Sequence, residues 1–415
     1  MLTLVLIVVA PASAALVTSF PLPRTLRNAD RIAPGPDAAL WFTQGAFQEH
    51  TSALGRITTG GAASVVAIPA GSSALALTAG PDRALWYAGM GRSGGGRLGR
   101  VTADGVNEFA LPGEPFSANA IVTGPDQALW FTADGRIGRR APNGVLTFFR
   151  VPGATSLKRI VAAPDALWFI TDSERGTIGR ITTSGIRLFP VPSRVSAEDI
   201  AVGADGAIWF TSDVGNQIGR IAPSGRVRTY TLPNQPDSPT AITAGSDGAI
   251  WFTSLDIGRI TPTGEFTEIS VPERRGYEFN FPEAITTGPD GAIWFTQQAD
   301  DGGNTDNGSE SSQIGKIDLP RIGKSLLVTR LEDRPMRGRR NHLLRVQYTA
   351  TRKASGLLRL HLPGRPALRR RVRAHAGSNS VTMRLPRKPG TYRLLLSLSL
   401  PNQSASDRGK VTVQR

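Results

Sequence analysis

Residues 199–233 read DIAVGADGAIWFTSDVGNQIGRIAPSGRVRTYTLP, and their reading decides the fold. Ile200 to Val202 is a short apolar run. Gly203 to Gly206 follows as Gly-x-Asp-Gly, which suits a type I turn because Asp hydrogen-bonds its own backbone. Ala207 to Thr211 is rich in strand formers. A polar loop leads to IGRIA, a Pro-Ser-Gly turn leads to VRTYTLP, and no helical period intervenes. The stretch therefore predicts four short strands joined by turns.

The same grammar recurs along the chain. GPDAALWFTQ starts at Gly35, GSDGAIWFTS at Gly245 and GPDGAIWFTQ at Gly288. The aromatic pairs align on Trp41, Trp86, Trp130, Trp168, Trp209, Trp251 and Trp294, all seven tryptophans of the chain. Their spacings are 45, 44, 38, 41, 42 and 43 residues. Four strands in about 42 residues, repeated seven times, predict a seven-bladed β-propeller.

The chain ends of the array support closure. The seventh unit has its third strand at Ile314 to Asp318 and then leaves the pattern. VTSFPLP, Val17 to Pro23, reads as an orphan fourth strand. Pairing the two closes a ring and removes a free sheet edge, whereas an open solenoid has no reason to split a repeat.

The repeated residues read as frame. Trp and Phe at successive strand positions face opposite sides of a sheet, and both faces are buried when blades stack. The turn aspartates, such as Asp205, Asp247 and Asp290, are expected to cap their own turns. Arg180, Arg220 and Arg259 of the GRI segments are expected to pair with neighbouring aspartates. Function is sought where blades differ. The residues before the first strands are Asp30, Leu75, Asn119, Lys158, Glu198, Thr240 and Glu283. Those after the Trp-Phe-Thr segments are Gln44, Gly89, Ala133, Thr171, Ser212, Ser254 and Gln297. Both sets are expected near the central channel, on a mixed rim with three acids and one lysine. Such a rim suits a cation, a polar small molecule or a peptide, and equally a solvated loop face.

Composition bounds the chemistry. The chain has 415 residues, 40% of them hydrophobic, enough for a sizeable core. There are 46 Gly and 30 Pro, read as punctuation between strands. With no cysteine, disulfides, thiolate metal sites and Cys nucleophiles are excluded. The histidines are His50, His342, His361 and His375. Only His50 falls within the array, in the first blade's second-to-third strand loop.

At the N-terminus, MLTLVLIVVAPASAAL has an apolar run ending in Ala12-Ser13-Ala14. It reads as a signal peptide, residues 1–14, lacking a basic n-region; the alternative is a buried N-terminal strand. The run is too short to span a bilayer, and no other segment reads as transmembrane. The expected location is secreted or cell-wall associated.

Residues 321–415 differ sharply from the rest. They hold 23 of the 48 Lys and Arg but 3 of the 33 Asp and Glu, a net of +20 against −5 elsewhere. Runs such as LLRVQYTA, GLLRLHLP, ALRRRVRAH and TYRLLLSLSL alternate with period two. The segment is predicted to be a small Ig-like β-sandwich with one basic face, following a propeller at residues 15–320. LPRKPGTYRLLLSL resembles the last strands of immunoglobulin-like modules on secreted bacterial proteins. A +20 domain attracts polyanions: an anionic cell-wall polymer, a membrane surface or extracellular nucleic acid.

AITAGSDGAIWFTS, with IGRITPTGEFTEISVP after it, resembles the repeat of the virginiamycin B lyase family, the streptogramin-cleaving seven-bladed propellers. The resemblance covers about Val17 to Asp318. It implies elimination at the ester of a cyclic depsipeptide, with a His general base and a Mg²⁺ held by two Glu. A base takes the acidic Cα proton, and a hard cation stabilises the developing enolate. The family's motifs are a His before a blade's first strand, a Glu two residues earlier, a Glu soon after the Trp-Phe pair, and a second His one blade before. Here Thr240 stands at the blade-six His position and Glu283 at the blade-seven one. Phe281 stands at the preceding Glu position and Gln297 after the Trp-Phe pair. The family mechanism is therefore not expected in its known form. Glu283, beside Glu198, is the alternative base, with Asp30, Asn119, Lys158, Thr240 and Gln297 as binding candidates. No metal ligand set is assigned, and Mg²⁺ enters only through the resemblance. The sequence favours an exported, non-catalytic binding propeller with a surface-seeking basic domain. The alternative is a Mg²⁺-dependent carbon–oxygen lyase opening type B streptogramins. The acidic loop from Gln297 to Gln313, with Asp300, Asp301 and Asp306, reads as a solvated insertion or a Ca²⁺ loop without EF-hand spacing.

Overall fold

In a computed structural model, seven four-stranded antiparallel sheets follow one another along the chain. The structure describes residues 17–319, apart from 27, 45–52, 114–117, 173–176, 193–194, 233–237, 270, 272–278 and 301–310, together with strands between 329 and 414. The signal-peptide reading, His50, Asp301 and Asp306 lie outside the described residues.

Blade five shows the build. Its strands are Ala197–Val202, Ile208–Ser212, Gln217–Ile221 and Val227–Thr231, paired in sequence order. The first strand of each blade touches the first strand of the next, and that of blade seven touches that of blade one. The inner strands thus form a closed ring around a central channel. Blade seven takes its outer strand from the N-terminal side. Val17–Pro21 pairs antiparallel with Ser311–Ile317, Val17 opposite Ile317 and Phe20 opposite Ile314. Phe20 stacks on Trp294 with ring centroids 5.5 Å apart, so closure also buries apolar surface.

The repeated residues interlock within each blade. Trp209 and Phe210 are fully buried on opposite faces of their strand. Asp205 receives the Trp209 indole N–H at 3.4 Å and the Arg220 guanidinium at 2.6 Å. Equivalent triads are Asp37–Trp41–Arg56, Asp82–Trp86–Arg100 and Asp126–Trp130–Arg139, with Lys316 replacing Arg beside Asp290 and Trp294. Burial pushes the Asp205 carboxyl up. Hydrogen bonds from Arg220, the Ala207 N–H and Trp209 outweigh that and hold it below its ordinary value. The glycines fit the rings: a Cβ on Gly219 would stand 1.9 Å from Phe210, and one on Gly203 2.7 Å from the Trp209 indole nitrogen.

By compactness the chain divides into two units, residues 17–257 with 273–319, and 320–415 with 258–272. The C-terminal residues form two sheets. One contains Thr329–Leu331, Leu343–Ala350 and Gly377–Arg384. The other has five strands, Met336–Arg339, Gln403–Gln414, Gly390–Leu400, Ala354–Leu362 and Arg365–Ala374 in spatial order. Met336–Arg339 pairs in parallel with Gln403–Gln414, a strand the alternation did not mark. No described helix is long and apolar enough to cross a membrane.

Candidate functional site at the channel mouth

The inner strands are bulged where function was sought. In blade one Ala29 pairs with Gln44 and Ile32 with Phe42, so Asp30 and Arg31 together oppose Thr43. Glu198 and Asp199 oppose Thr211 in the same way, and Glu283 and Ala284 oppose Thr296. Leu75 and Lys158 are the extra residues of blades two and four. An extra residue kinks a strand and re-aims its side chains. The rim residues thus lie within bulges rather than before the strands, except Asn119 and Thr240, which precede the shorter strands Ile121–Thr123 and Ile242–Ala244.

The bulges are held by the Thr of the Trp-Phe-Thr segment. Thr43, Thr211 and Thr296 accept the N–H of Arg31, Asp199 and Ala284 at 3.0–3.1 Å. Thr132 and Thr253 accept those of Ala120 and Ala241. Three of these hydroxyls also donate to the next blade: Thr211 to the Thr240 carbonyl, Thr253 to that of Glu283 and Thr296 to that of Asp30. Each such threonine ties its own inner strand to the next blade, and Thr296 joins the bulge of blade seven to that of blade one.

The next position along each inner strand also varies among the blades. In blades two, three, six and seven it is alanine: Ala76, Ala120, Ala241 and Ala284. In blades one, four and five it is Arg31, Arg159 and Asp199. Arg159 Nε lies 3.3 Å from Asp199 Oδ1, and Asp199 also accepts the N–H groups of Ile200 and Ile242. Burial lowers the Arg159 guanidinium's affinity for its proton and Arg31 lowers it further; Asp199, Asp30 and Glu198 oppose them. Groups from blades one, four and five are thus felt together across the channel. Lys158 Nζ donates to Glu198 Oε1 at 2.7 Å and lies 3.6 Å from Asp172. Arg31 lies 3.6 Å from Asp30.

Glu283 is the most perturbed acid of this face. Burial pushes its carboxyl up to about 7, with the Asp30 carboxylate adding to the rise; Arg31 and a hydrogen bond from Gln298 Nε2 work against it. Thr240 is exposed, its hydroxyl 2.8 Å from that of Thr253, and Asn119 is half-buried.

The second set is not on the open face. Gln297 is fully buried, and Gln313 Nε2 donates to its Oε1. Gln44, Ser212, Ser254, Ala133 and Thr171 are buried as well. Register is the reason. Gln297 pairs with Pro282, Ser212 with Ala197 and Gln44 with Ala29, so these side chains share the face of the residue before the bulge. The structure therefore brings together Asp30, Lys158, Glu198 and Glu283, adds Arg31, Arg159, Asp199 and Gln298, and leaves Gln297 inside blade seven.

The acidic side chains of this face offer little to a divalent cation. Among the described residues no three Asp, Glu, His or Cys side chains are grouped to hold a metal ion. Glu198 is taken by Lys158, Asp199 by Arg159 and two backbone N–H groups, and Glu283 by Gln298. Hard cations require several free oxygens, so these residues do not fit Mg²⁺ as they stand.

The sequence matches the profile of the Virginiamycin B lyase family over residues 12–198 and 189–320. A streptogramin B lyase structure is 26% identical over 73% of this chain and 97% of its own, with a TM-score of 0.60. A catalytically inactive variant of virginiamycin B lyase from Staphylococcus aureus with quinupristin is 27% identical, covering 73% and 99%, also with a TM-score of 0.60. The WD40 repeats of RRP9, at 11% identity and a TM-score of 0.54, share the fold alone. A search of curated proteins returned no match.

Proposed function

The chain belongs to the virginiamycin B lyase family, and from that premise we propose that its propeller binds a polar small molecule or peptide at the channel mouth without opening it. One observation carries the reading. The charged groups there engage one another, as Lys158–Glu198 and Arg159–Asp199, so among the described residues no set is grouped to hold a cation. Thr240 and Glu283 occupy the positions where the family resemblance implies histidines. A preformed polar face of this kind recognises a ligand by hydrogen bonds and compensated charge.

In this proposal the protein is exported, and residues 321–415 retain it at an anionic surface such as a cell-wall polymer. The net +20 of that segment supports this. Alternation along Arg365–Ala374 puts Arg369, Arg371 and Arg373 on one face of the strand, and Arg371 and Arg373 are exposed. The whole protein is expected to bind isolated cell wall and to be released by salt, as counterion-driven association requires. Retention that ignores salt would count against this part.

A second reading is favoured by one observation, the Glu283 carboxyl at about 7, where a general base is best matched to neutral pH. In it Glu283 takes the Cα proton of a depsipeptide ester as the carbon–oxygen bond breaks. Incubation with Mg²⁺ and a type B streptogramin, followed by mass spectrometry, separates the two. Intact ring supports the binding reading. Ring opening that disappears in Glu283→Gln overturns it in favour of a lyase.

A further inference from the structure

A second candidate site lies at the other end of the blades, beside the turns. It arises where the repeat breaks a packing rule. The residue after the Arg or Lys of each third strand is Ile57, Val101, Ile181, Ile221, Ile260 or Ile317, all buried. From one blade it packs on the Trp of the blade before: Ile57 with Trp294, Val101 with Trp41, Ile181 with Trp130 and Ile221 with Trp168. In blade three that residue is Arg140.

Arg140 keeps the place but changes the chemistry. Its guanidinium carbon lies 4.9 Å from the Trp86 ring centroid and 4.7 Å from that of Phe109, both in blade two. Cation–π contact of this kind holds a guanidinium without using its N–H groups, which remain for an acceptor. No carboxylate or carbonyl of the described residues accepts from it. Asp82, the acid whose charge reaches it, is engaged by Trp86 Nε1 at 2.9 Å and Arg100 Nε at 2.6 Å. Asp82 attracts Arg140 at a distance, while burial and Arg100 weaken its hold on its proton.

A cleft of about 350 Å³ opens here. Its walls are Pro81 and Trp86 of blade two and Leu129 and Pro142 of blade three; its polar side chains are Gln127, Arg140 and Asp82, the last already held by Trp86 and Arg100. An apolar cleft with one unengaged cation has a defined complement. We propose that this cleft binds a small amphipathic carboxylate, an apolar ring carrying one anionic group. The ring lies against Pro81, Leu129 and Pro142, and the carboxylate takes the open N–H groups of Arg140.

The test uses the full chain and two fluorinated probes, 4-fluorophenylacetate and the neutral 4-fluorobenzyl alcohol, followed by ¹⁹F NMR titration. The acid is expected to saturate, and the alcohol to bind at least tenfold more weakly. Arg140→Ile restores the residue type of the other blades and closes the cleft; Arg140→Gln removes the charge and leaves the cleft open. Each is expected to weaken the acid at least tenfold, with an unchanged circular dichroism spectrum showing the propeller intact. No saturation by the acid, equal binding of the alcohol, or unchanged affinity in Arg140→Gln overturns the proposal.

Discussion

Replacing Thr296 by valine tests how the ring is held shut. Valine has nearly the shape of threonine, so the change removes an oxygen and little else. Thr296 is fully buried. Its hydroxyl accepts the buried Ala284 N–H at 3.0 Å and donates to the Asp30 carbonyl of blade one at 3.0 Å. Losing it strands the Ala284 N–H, which costs about 1–3 kcal/mol, and deletes a bond to Asp30 worth about 0.5–1.5 kcal/mol. The added methyl returns about 0.8 kcal/mol. The net expectation is a loss of about 1–4 kcal/mol, read from urea unfolding curves with unchanged slope. Thr211→Val should cost about as much, because Thr211 makes the same two bonds, to the Asp199 N–H and the Thr240 carbonyl. Blades two and four carry Ala88 and Ile170 at this position, so no single stitch is indispensable. A Thr296→Val protein within about 0.5 kcal/mol of the parent would refute the argument, since buried donors without acceptors are not free.

Other expectations follow from the same packing. Gly219→Ala should lose about 1–3 kcal/mol, because its Cβ would meet Phe210 at 1.9 Å; Gly95→Ala, with nothing within 4 Å, serves as the control, and equal melting of the two would dismiss the packing account. Glu283 titrates near 7 in the folded state against 4.5 unfolded, so the native state binds the extra proton between those values. The contribution of this group therefore falls as pH rises through that window. Glu283→Gln should remove the fall, and parallel pH–stability curves for the two proteins would contradict it. Deleting residues 17–21 uncovers Ser311–Ile317 as a sheet edge and removes Phe20 from Trp294. The truncated protein should self-associate in sedimentation, and a stable monomer would argue that the ring closes without that strand.

The frame was legible because it repeats. An aromatic pair every 42 residues or so, with an Asp turn before it and a Gly-Arg or Gly-Lys strand after it, must solve one packing problem seven times. The rings indeed lie on the glycines that the motif contains. The missing outer strand of the last blade pointed to its supplier at residues 17–21 for the same reason. The site was less legible. Asp30, Lys158, Glu198 and Glu283 were marked by their variation among blades. Arg31, Arg159 and Asp199 were not, although each breaks a run of alanines at the next position. Arg140, in place of an isoleucine, is a signal of the same kind.

What the sequence by itself determined is the blade, its number and its closure, since these follow from local strand patterns and a period. What only the tertiary structure decided is which polar residues meet. A β-bulge shifts facing by one residue, and side chains alternate sides with a period of two. That shift turned Gln297 inward beside Gln313 and brought Arg159 to Asp199. Charges from blades 40 or more residues apart became neighbours because the ring closed, and no local pattern encodes a distance across a channel.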